Sequence, residues 1–495
     1  MNKLISTRNF KNEVSYPEAI LKGISEDNGL FVPDLFLKMD FSQEKFLSMS
    51  YSDYAYEILH HFLNSINEEE LKTIINEAYN KNFDDAEIVP IKEIDQRFIV
   101  ELFHGPTLAF KDMALSILPK LLQFSKKKLE ENSKTIILTA TSGDTGKAAL
   151  EGFADIKGIE IIVFYPKDGV SPIQKKQMLT QKGENVHVFG IEGNFDDAQS
   201  AVKEILNDKA FKELLESYNC KFSSANSINI GRLLPQMVYY ISSYFELIKR
   251  KEINYGEKVN FVVPTGNFGN ILAGKYAKEI GLPINNLICA SNENNILTDF
   301  INTGVYDLNR AFVKTISPSM DILISSNLER LLFYLADNDT QKVSNFMTHL
   351  KENNDYKIDD HMKKKMEDFK GYYSSEKDTK KTIKNVFEKE GYLLDPHTAV
   401  AYNVYDQYYK DTKDKLKTLI LSTASPFKFP ISVAEALEIS SNVEDFQLLK
   451  NISNYTGVAT PKNIASLENK KVIHNNNIKV SDMKDNILKV LNIES

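Results

Sequence analysis

Cysteine occurs only twice in this sequence, at Cys220 and Cys289. Each stands alone in a strand-like context, which leaves no disulfide framework and no metal-ligand spacing and suits a reducing compartment. Long apolar runs are missing as well. No stretch of 18 apolar residues occurs, and the opening MNKLISTRNF turns polar at once, without the apolar centre of a secretion signal. A soluble, cytoplasmic protein without a membrane span is expected. Charge of one sign is not concentrated anywhere: the formal −8 is spread along the chain, and no basic stripe offers a nucleic-acid footprint. The eight histidines do not cluster, and the adjacent His60 and His61 point in different directions on a helix, so no metal is expected.

What is present is an ordinary globular composition, 42% hydrophobic and 26% charged over 495 residues, long enough for more than one domain. Residues 1–95 carry short polar-apolar alternations and then helical patterns, SMSYSDYAYEILHHFLNSI and NEEELKTIINEAYN, and are expected to form a mainly helical N-terminal domain. From 96 to 495 the grammar changes. A short β-branched run meets a turn rich in Gly, Ser, Asn or Pro and then a segment of helical period, as in KTIILTA with TSGDTGKAALEGFA or VNFVVPTG with NFGNILAGKYAKEI. Such alternation predicts an α/β fold with parallel strands and crossover helices. Two α/β sheets are expected, a smaller domain over about 136–225 and a larger one over 226–495, the latter interrupted by a charged, peripheral helical insertion at 330–390.

Ligands of open α/β sheets collect where strands end and helices begin, so the loops carry the search. PTGNFGN (264–270) follows VNFVV and opens a helix, turning several N–H groups toward one point as an anion cradle. Gly266 and Gly269 permit close backbone approach, and Asn267 and Asn270 offer side-chain donors; a plain strand-to-helix turn has the same pattern. TSGDTGKAA (141–149) repeats the geometry, with Ser142 and Thr145 as hydroxyl donors. It fails as a triphosphate loop because Thr141 stands where glycine is needed and Ala148 where a hydroxyl is needed. In SSANSINIGRLLPQ (223–236), Arg232 lies in the first turn of a helix, where it opposes the dipole unless an anion, an internal ion pair or solvent engages it. ISPSMDILISSNLER (316–330) supplies Ser319, Asp321, Ser325, Ser326 and Asn327, some of them simple N-caps. DPHTAVA (395–401) reads as an N-cap, a first-turn proline and a first-turn His397, and STASPFKFP (422–430) places Thr423 at the end of the last strand.

One lysine stands out. In FHGPTLAFKD (103–112), Lys111 follows Leu108, Ala109 and Phe110 and precedes Asp112 and Met113. A buried amine loses its proton more readily and can attack an aldehyde. Beside an anion cradle and hydroxyl-bearing loops, that amine suits a phosphorylated aldehyde cofactor, pyridoxal phosphate.

The motifs FHGPTLAFKD, SGDTG, SINIGR, GNFGN, PSMDI with SSNLER, and DPHTAVA, in this order, together with STRN at 6–9 and LKGISEDNGLFVP at 21–33, resemble threonine synthase, in its microbial and fungal branch. The resemblance covers almost the whole chain. It implies the PLP-dependent fold type II, tryptophan synthase β-like, and a carbon–oxygen lyase that turns O-phospho-L-homoserine and water into L-threonine and phosphate, the final step of threonine biosynthesis. By the same resemblance Lys111 bonds the cofactor aldehyde, and Gly266, Asn267, Phe268, Gly269 and Asn270 hold its phosphate. Thr423 would meet the pyridine nitrogen. Ser142, Asp144 and Thr145 face the substrate, its carboxylate held by Ser142 and Thr145, and Arg232 with Ser319 or Asn226 takes the departing phosphate. Asp144 stands where sulfhydrylases and dehydratases of the fold type carry asparagine, which leaves the partner of the cofactor's 3′-oxygen open. Serine or threonine dehydratase and cysteine synthase are the rival chemistries, and a non-catalytic binding protein of the same fold is the rival class. The chain acts as a monomer or a homodimer; the sequence does not choose.

Overall fold

The β-branched runs KTIILTA and VNFVVP form inner strands of two largely parallel sheets, and helices pack against each. The structure is a computed structural model that describes residues 3–79, 82–141, 143–167, 170–193 and 195–494. In the smaller sheet the order is Asn476–Lys479, Val186–Glu192, Ile159–Pro166, Lys134–Ala140, Cys220–Ser223, every pair parallel. In the larger it is Phe369–Tyr373, Ile284–Ser291, Val259–Pro264, Thr418–Ser422, Arg97–Glu101, Ile91–Ile94, parallel except for the last pair. Val259–Pro264 is buried along its whole length, as a strand covered on both faces must be.

The strand order decides where a ligand can sit. In the smaller sheet the chain runs outward from Lys134–Ala140 in one direction and then returns to its other side with Cys220–Ser223. In the larger sheet Val259–Pro264 has Ile284–Ser291 on one side and Thr418–Ser422 on the other. Each of these two strands is therefore a switch point, and ligands of such sheets bind beyond the carboxyl end of the strand at that point. The loops starting at 141 and at 265 leave from those two points.

Three expectations need correction, while the N-terminal region is mainly helical as expected. The N-terminal region has the expected helices Tyr51–Phe62 and Glu68–Ala78. It also has a three-stranded antiparallel sheet of Leu4–Ser6, Asn9–Val14 and Phe31–Pro33, whose short strands are stable only as partners of each other. The expected boundary at 95/96 falls inside the hairpin of Ile91–Ile94 with Arg97–Glu101, which pairs as one unit on the edge of the larger sheet. The segment 330–390 is not purely helical. Phe369–Tyr373 is the other edge strand of the larger sheet, and Asp355–Lys357 pairs with Val305–Asp307. The C-terminal residues, assigned by sequence to the larger domain, return to the smaller one: Asn476–Lys479 extends its sheet, and Met483, Ile487 and Leu488 pack into its apolar layer. A four-residue strand reading NNIK has no hydrophobic pattern from which that return could be foreseen. Cys220 and Cys289 are both free, buried thiols, and no helix among the described residues is long and apolar enough to cross a membrane.

Candidate active site

Lys111 comes to the site through a tight turn. Leu108 takes φ +61°, a left-handed conformation unusual for a bulky residue, and the segment is bonded to the last strand of the larger sheet: Phe110 N–H donates to Thr423 O at 2.9 Å and Ser425 N–H to Leu108 O at 3.1 Å. Thr107 closes the turn by donating its N–H and hydroxyl to the Asp112 carboxylate at 2.8 and 2.6 Å. These bonds hold the lysine in place at the carboxyl end of two adjacent strands. Lys111 is buried, with Nζ 3.3 Å from Ser319 Oγ, 3.5 Å from Asp144 Oδ2 and 4.7 Å above the Phe110 ring. Burial pushes its amine down, and Lys428 and Arg232 push the same way, against the pull of Asp144. The burial of this lysine is as the sequence predicts.

The loop after Val259–Pro264 is the anion cradle. Phe268 sits at φ +62°, and the helix Gly269–Glu279 begins immediately after it. Two carbonyls of the loop are held away from the crevice, Gly266 O by Ser325 Oγ at 2.7 Å, and Asn267 O by the N–H and side-chain amide of Asn327 at 3.1 and 2.9 Å. Among the described residues, the N–H groups of Gly266, Asn267, Phe268 and Gly269 have no acceptor, so a row of donors at a helix N-terminus awaits an anion. Gly266 is packed so closely that a Cβ there would lie 2.5 Å from Ser319 O. Asn270 behaves differently from the expectation. Its side chain donates to Pro264 O at 2.8 Å and accepts from Ile271 N–H, so it shapes the loop rather than extending into the crevice.

The smaller sheet contributes Asp144, Thr145 and Arg232. Gly143, at φ +147°, carries the chain into the helix Asp144–Phe153, where only a residue without a side chain fits against Gln174. Asp144 is buried and saturated: Oδ1 accepts from Lys428 Nζ and Gln174 Nε2, each at 2.7 Å, and Oδ2 faces Lys111 and Ser319 Oγ, the latter at 3.4 Å. Burial would push this carboxyl up, but Lys428 and Lys111 hold it well below the usual range. Thr145 and Asn226 are half-buried, and Ser142 lies outside the described residues. Arg232 belongs to a single helical turn, Ile230–Leu233, capped by Asn229, and it is neither exposed nor ion-paired among the described residues. Its Nη1 donates to Ala225 O at 3.0 Å, while Nε is buried with no partner. Burial pushes the guanidinium down to about 10, still charged at neutral pH.

Ser319 is placed from behind. His397 Nε2 accepts the Ser319 N–H at 3.1 Å, which puts the ring proton on Nδ1, where it donates to Asp395 Oδ1 at 2.9 Å. His397 is thus a support of the site, behind Ser319, and Asp395 caps the helix Pro396–Thr412 as the sequence predicts.

Three family profiles fall on this architecture: "Threonine synthase N terminus" over residues 3–79, "Pyridoxal-phosphate dependent enzyme" over 92–423, and "Threonine synthase, C-terminal" over 398–477. Threonine synthase of Saccharomyces cerevisiae is 38% identical over 459 residues, 87% of this chain and 88% of its own. The chain belongs to the threonine synthase family. Threonine synthase-like 1 of Homo sapiens is 39% identical over 437 residues, 86% of this chain, and the chain spans only 58% of that relative's length. The crystal structure of PLP-bound threonine synthase from Brucella melitensis superposes with a TM-score of 0.87 at 33% identity, covering 99% of each chain. The donor set fits the cofactor named by the family: an amine for an aldehyde, and a row of unpaired N–H groups for a phosphate ester.

Two groups of site residues escaped sequence reading. Lys428, fully buried against Asp144, stands between Phe427 and Phe429 in STASPFKFP, and that apolar setting, like the one around Lys111, is the signal that could have found it. Gln174, in the helix Pro172–Leu179, belongs to none of the loops that the sequence marks, and its 2.7 Å bond to Asp144 brings it to the site.

Proposed function

We propose that this chain is a pyridoxal phosphate-dependent threonine synthase that converts O-phospho-L-homoserine and water into L-threonine and inorganic phosphate. The observation that carries the reading is Arg232, a buried cation with an unsatisfied Nε, borne on a different loop from the 265–270 cradle and close enough to Lys111 for its charge to oppose the ammonium. A cofactor phosphate occupies one anion site; a second, separate cation calls for a second anion, and a phosphorylated substrate supplies it.

When bound, the cofactor supplies an electron sink for charge developing at the carbons of the amino acid. The rest is done by side chains. Gly266, Asn267, Phe268 and Gly269 hold the cofactor phosphate through their N–H groups, and Asn270 keeps the loop in that shape. Thr423 would meet the pyridine nitrogen. Lys111 Nζ would hold the cofactor aldehyde and, as a free amine, would take the proton from Cα and then from Cβ, both within reach of one flexible amine. Ser142 and Thr145 orient the substrate carboxylate. Arg232, with Ser319 and Asn226, holds the phosphate that leaves Cγ, and water completes the reaction at Cβ. Asp144 acts through the two lysines it pairs with, because both its oxygens are engaged.

The test is a coupled measurement on the protein incubated with pyridoxal phosphate. With O-phospho-L-homoserine, phosphate and threonine should appear in equal amounts, and Arg232→Leu should abolish both while leaving the cofactor bound. Ammonia release from serine or threonine without phosphate release from O-phospho-L-homoserine would overturn the assignment.

A further inference from the structure

Lys428 has no role in the reaction just described, yet it is the most completely buried cation at the site, with no exposed surface. Its backbone follows Thr423 through the short turn Pro426–Lys428, and its Nζ donates to Thr107 O at 2.7 Å and pairs with Asp144 Oδ1 at 2.7 Å. Lys111 faces the other oxygen of the same carboxylate, Oδ2, at 3.5 Å. Two lysines therefore compete for one counter-charge, and attraction falls with distance, so the carboxylate is held chiefly by Lys428. Gln174 adds a second bond to the oxygen that Lys428 holds, fixing the carboxylate's rotation. The charged groups facing Lys111 are Asp144, Lys428 and Arg232, and none of them offers its ammonium a close, unshared partner. On the far side, Asp112 lies behind Thr107 and His397 behind Ser319.

We propose that Lys428 is a positioning residue: by claiming the Asp144 carboxylate it keeps the Lys111 amine uncharged, free to bond the cofactor aldehyde and later to carry the substrate proton. The proposal rests on the reading of Lys111 as the cofactor-bonding amine. Without Lys428, Asp144 would turn its full charge on Lys111 and stabilise the ammonium, which cannot attack a carbonyl. A lysine-to-arginine change keeps the cation and the grip; a change to methionine keeps only the length.

The experiment uses the full chain stripped of cofactor, then incubated with pyridoxal phosphate at a series of pH values and trapped with borohydride. The Lys111 adduct is quantified by mass spectrometry of the peptide. Wild type and Lys428→Arg should share one pH midpoint for adduct formation, and Lys428→Met should need a pH higher by about one unit, a tenfold loss of adduct on the rising limb. A buried carboxylate left with one cationic partner endangers folding, so the double variant Asp144→Asn/Lys428→Met, which removes both charges, is measured beside it. Its midpoint should return to the wild-type value or fall below it. A folded Lys428→Met protein with the wild-type profile, or a double variant whose midpoint stays high, would overturn the proposal. The trapping needs no amino-acid substrate. A wild-type protein that forms the adduct but releases no phosphate from O-phospho-L-homoserine therefore counts against the proposed reaction and leaves the role of Lys428 standing.

Discussion

Asp112 and Asp144 both feel the buried Lys428, yet their carboxyls are shifted in opposite directions. Burial pushes the Asp112 carboxyl up to about 6, a rise only partly offset by the two Thr107 bonds and by Lys428. Asp144 is as deeply buried, but two ammonium groups hold it down. The consequences for stability have opposite sign and separate pH windows. Asp112 takes up a proton in the folded protein before it does so unfolded, so its contribution is fully present below the ordinary value of 3.8 and is lost as pH rises from there through about 6. Asp144 contributes above the ordinary aspartate value and loses that contribution as pH falls below it. Asp112→Asn should therefore flatten the stability profile between about pH 4 and about pH 6, measured as denaturant midpoints against pH beside wild type. His397 gives a second prediction at this scale. Replacing it by phenylalanine keeps a ring but leaves the Ser319 N–H without its acceptor, at a cost of about 1–3 kcal/mol in a denaturant titration. Turnover should fall further than that loss of stability explains, since Ser319 Oγ faces Lys111.

The elements that matter most are the loops, and two of them hold bulky residues in left-handed backbone, Leu108 and Phe268. Such conformations cost on the order of 1–3 kcal/mol each and persist only where surrounding bonds enforce them. Around Leu108 the bonds come from the last strand of the larger sheet; around Phe268 they come from Ser325 and Asn327. The cradle is thus shaped by residues some sixty positions further along the chain. Gly266→Ala would drive a methyl group into Ser319 O, moving the 316–321 loop at a cost of about 1–3 kcal/mol. Its thermal midpoint should fall, and the increment that wild type gains on adding pyridoxal phosphate should shrink. Asn327→Ala should weaken cofactor retention without the steric cost, because the Asn267 carbonyl keeps only its backbone bond to residue 327 and is held less firmly away from the crevice.

Across the whole molecule, the N-terminal sheet is tied to the cradle. Arg8 donates through Nε and Nη2 to the two oxygens of Glu329 at 2.9 and 2.8 Å, and Thr7 Oγ1 adds a bond at 2.6 Å. The adjacent Arg330, with no exposed surface, donates to Phe31 O at 2.9 Å and also bonds Ile228 O and the side chain of Asn327. One arginine therefore joins the N-terminal sheet, the Arg232 loop and the phosphate cradle. Removing one partner of a buried pair typically costs about 3–5 kcal/mol, and Arg8→Met, at a partly exposed arginine, should fall at the lower side of that range. The prediction is a lower urea midpoint together with faster cofactor release, followed by absorbance after dilution into a cofactor scavenger. Unchanged release with a lowered midpoint would mean that the N-terminal sheet stabilises the fold without supporting the cradle.

By itself the sequence determined what depends on near neighbours. The alternation of β-branched runs with helical periods set the parallel sheets, glycine and asparagine placed turns at strand ends, and the apolar run before Lys111 marked that amine for burial. Side-chain periodicity and turn chemistry act over a few residues, so they can be read along the chain. Only the tertiary structure decided which loops meet. The strand orders set Asp144 of the smaller sheet against Lys428 of the larger, returned the C-terminal strand to the smaller sheet, and turned the Gly266 and Asn267 carbonyls away through Ser325 and Asn327. A charge pair acts through space and carries no period, and NNIK has no pattern of its own, so these features became visible only once the sheets had ordered their strands.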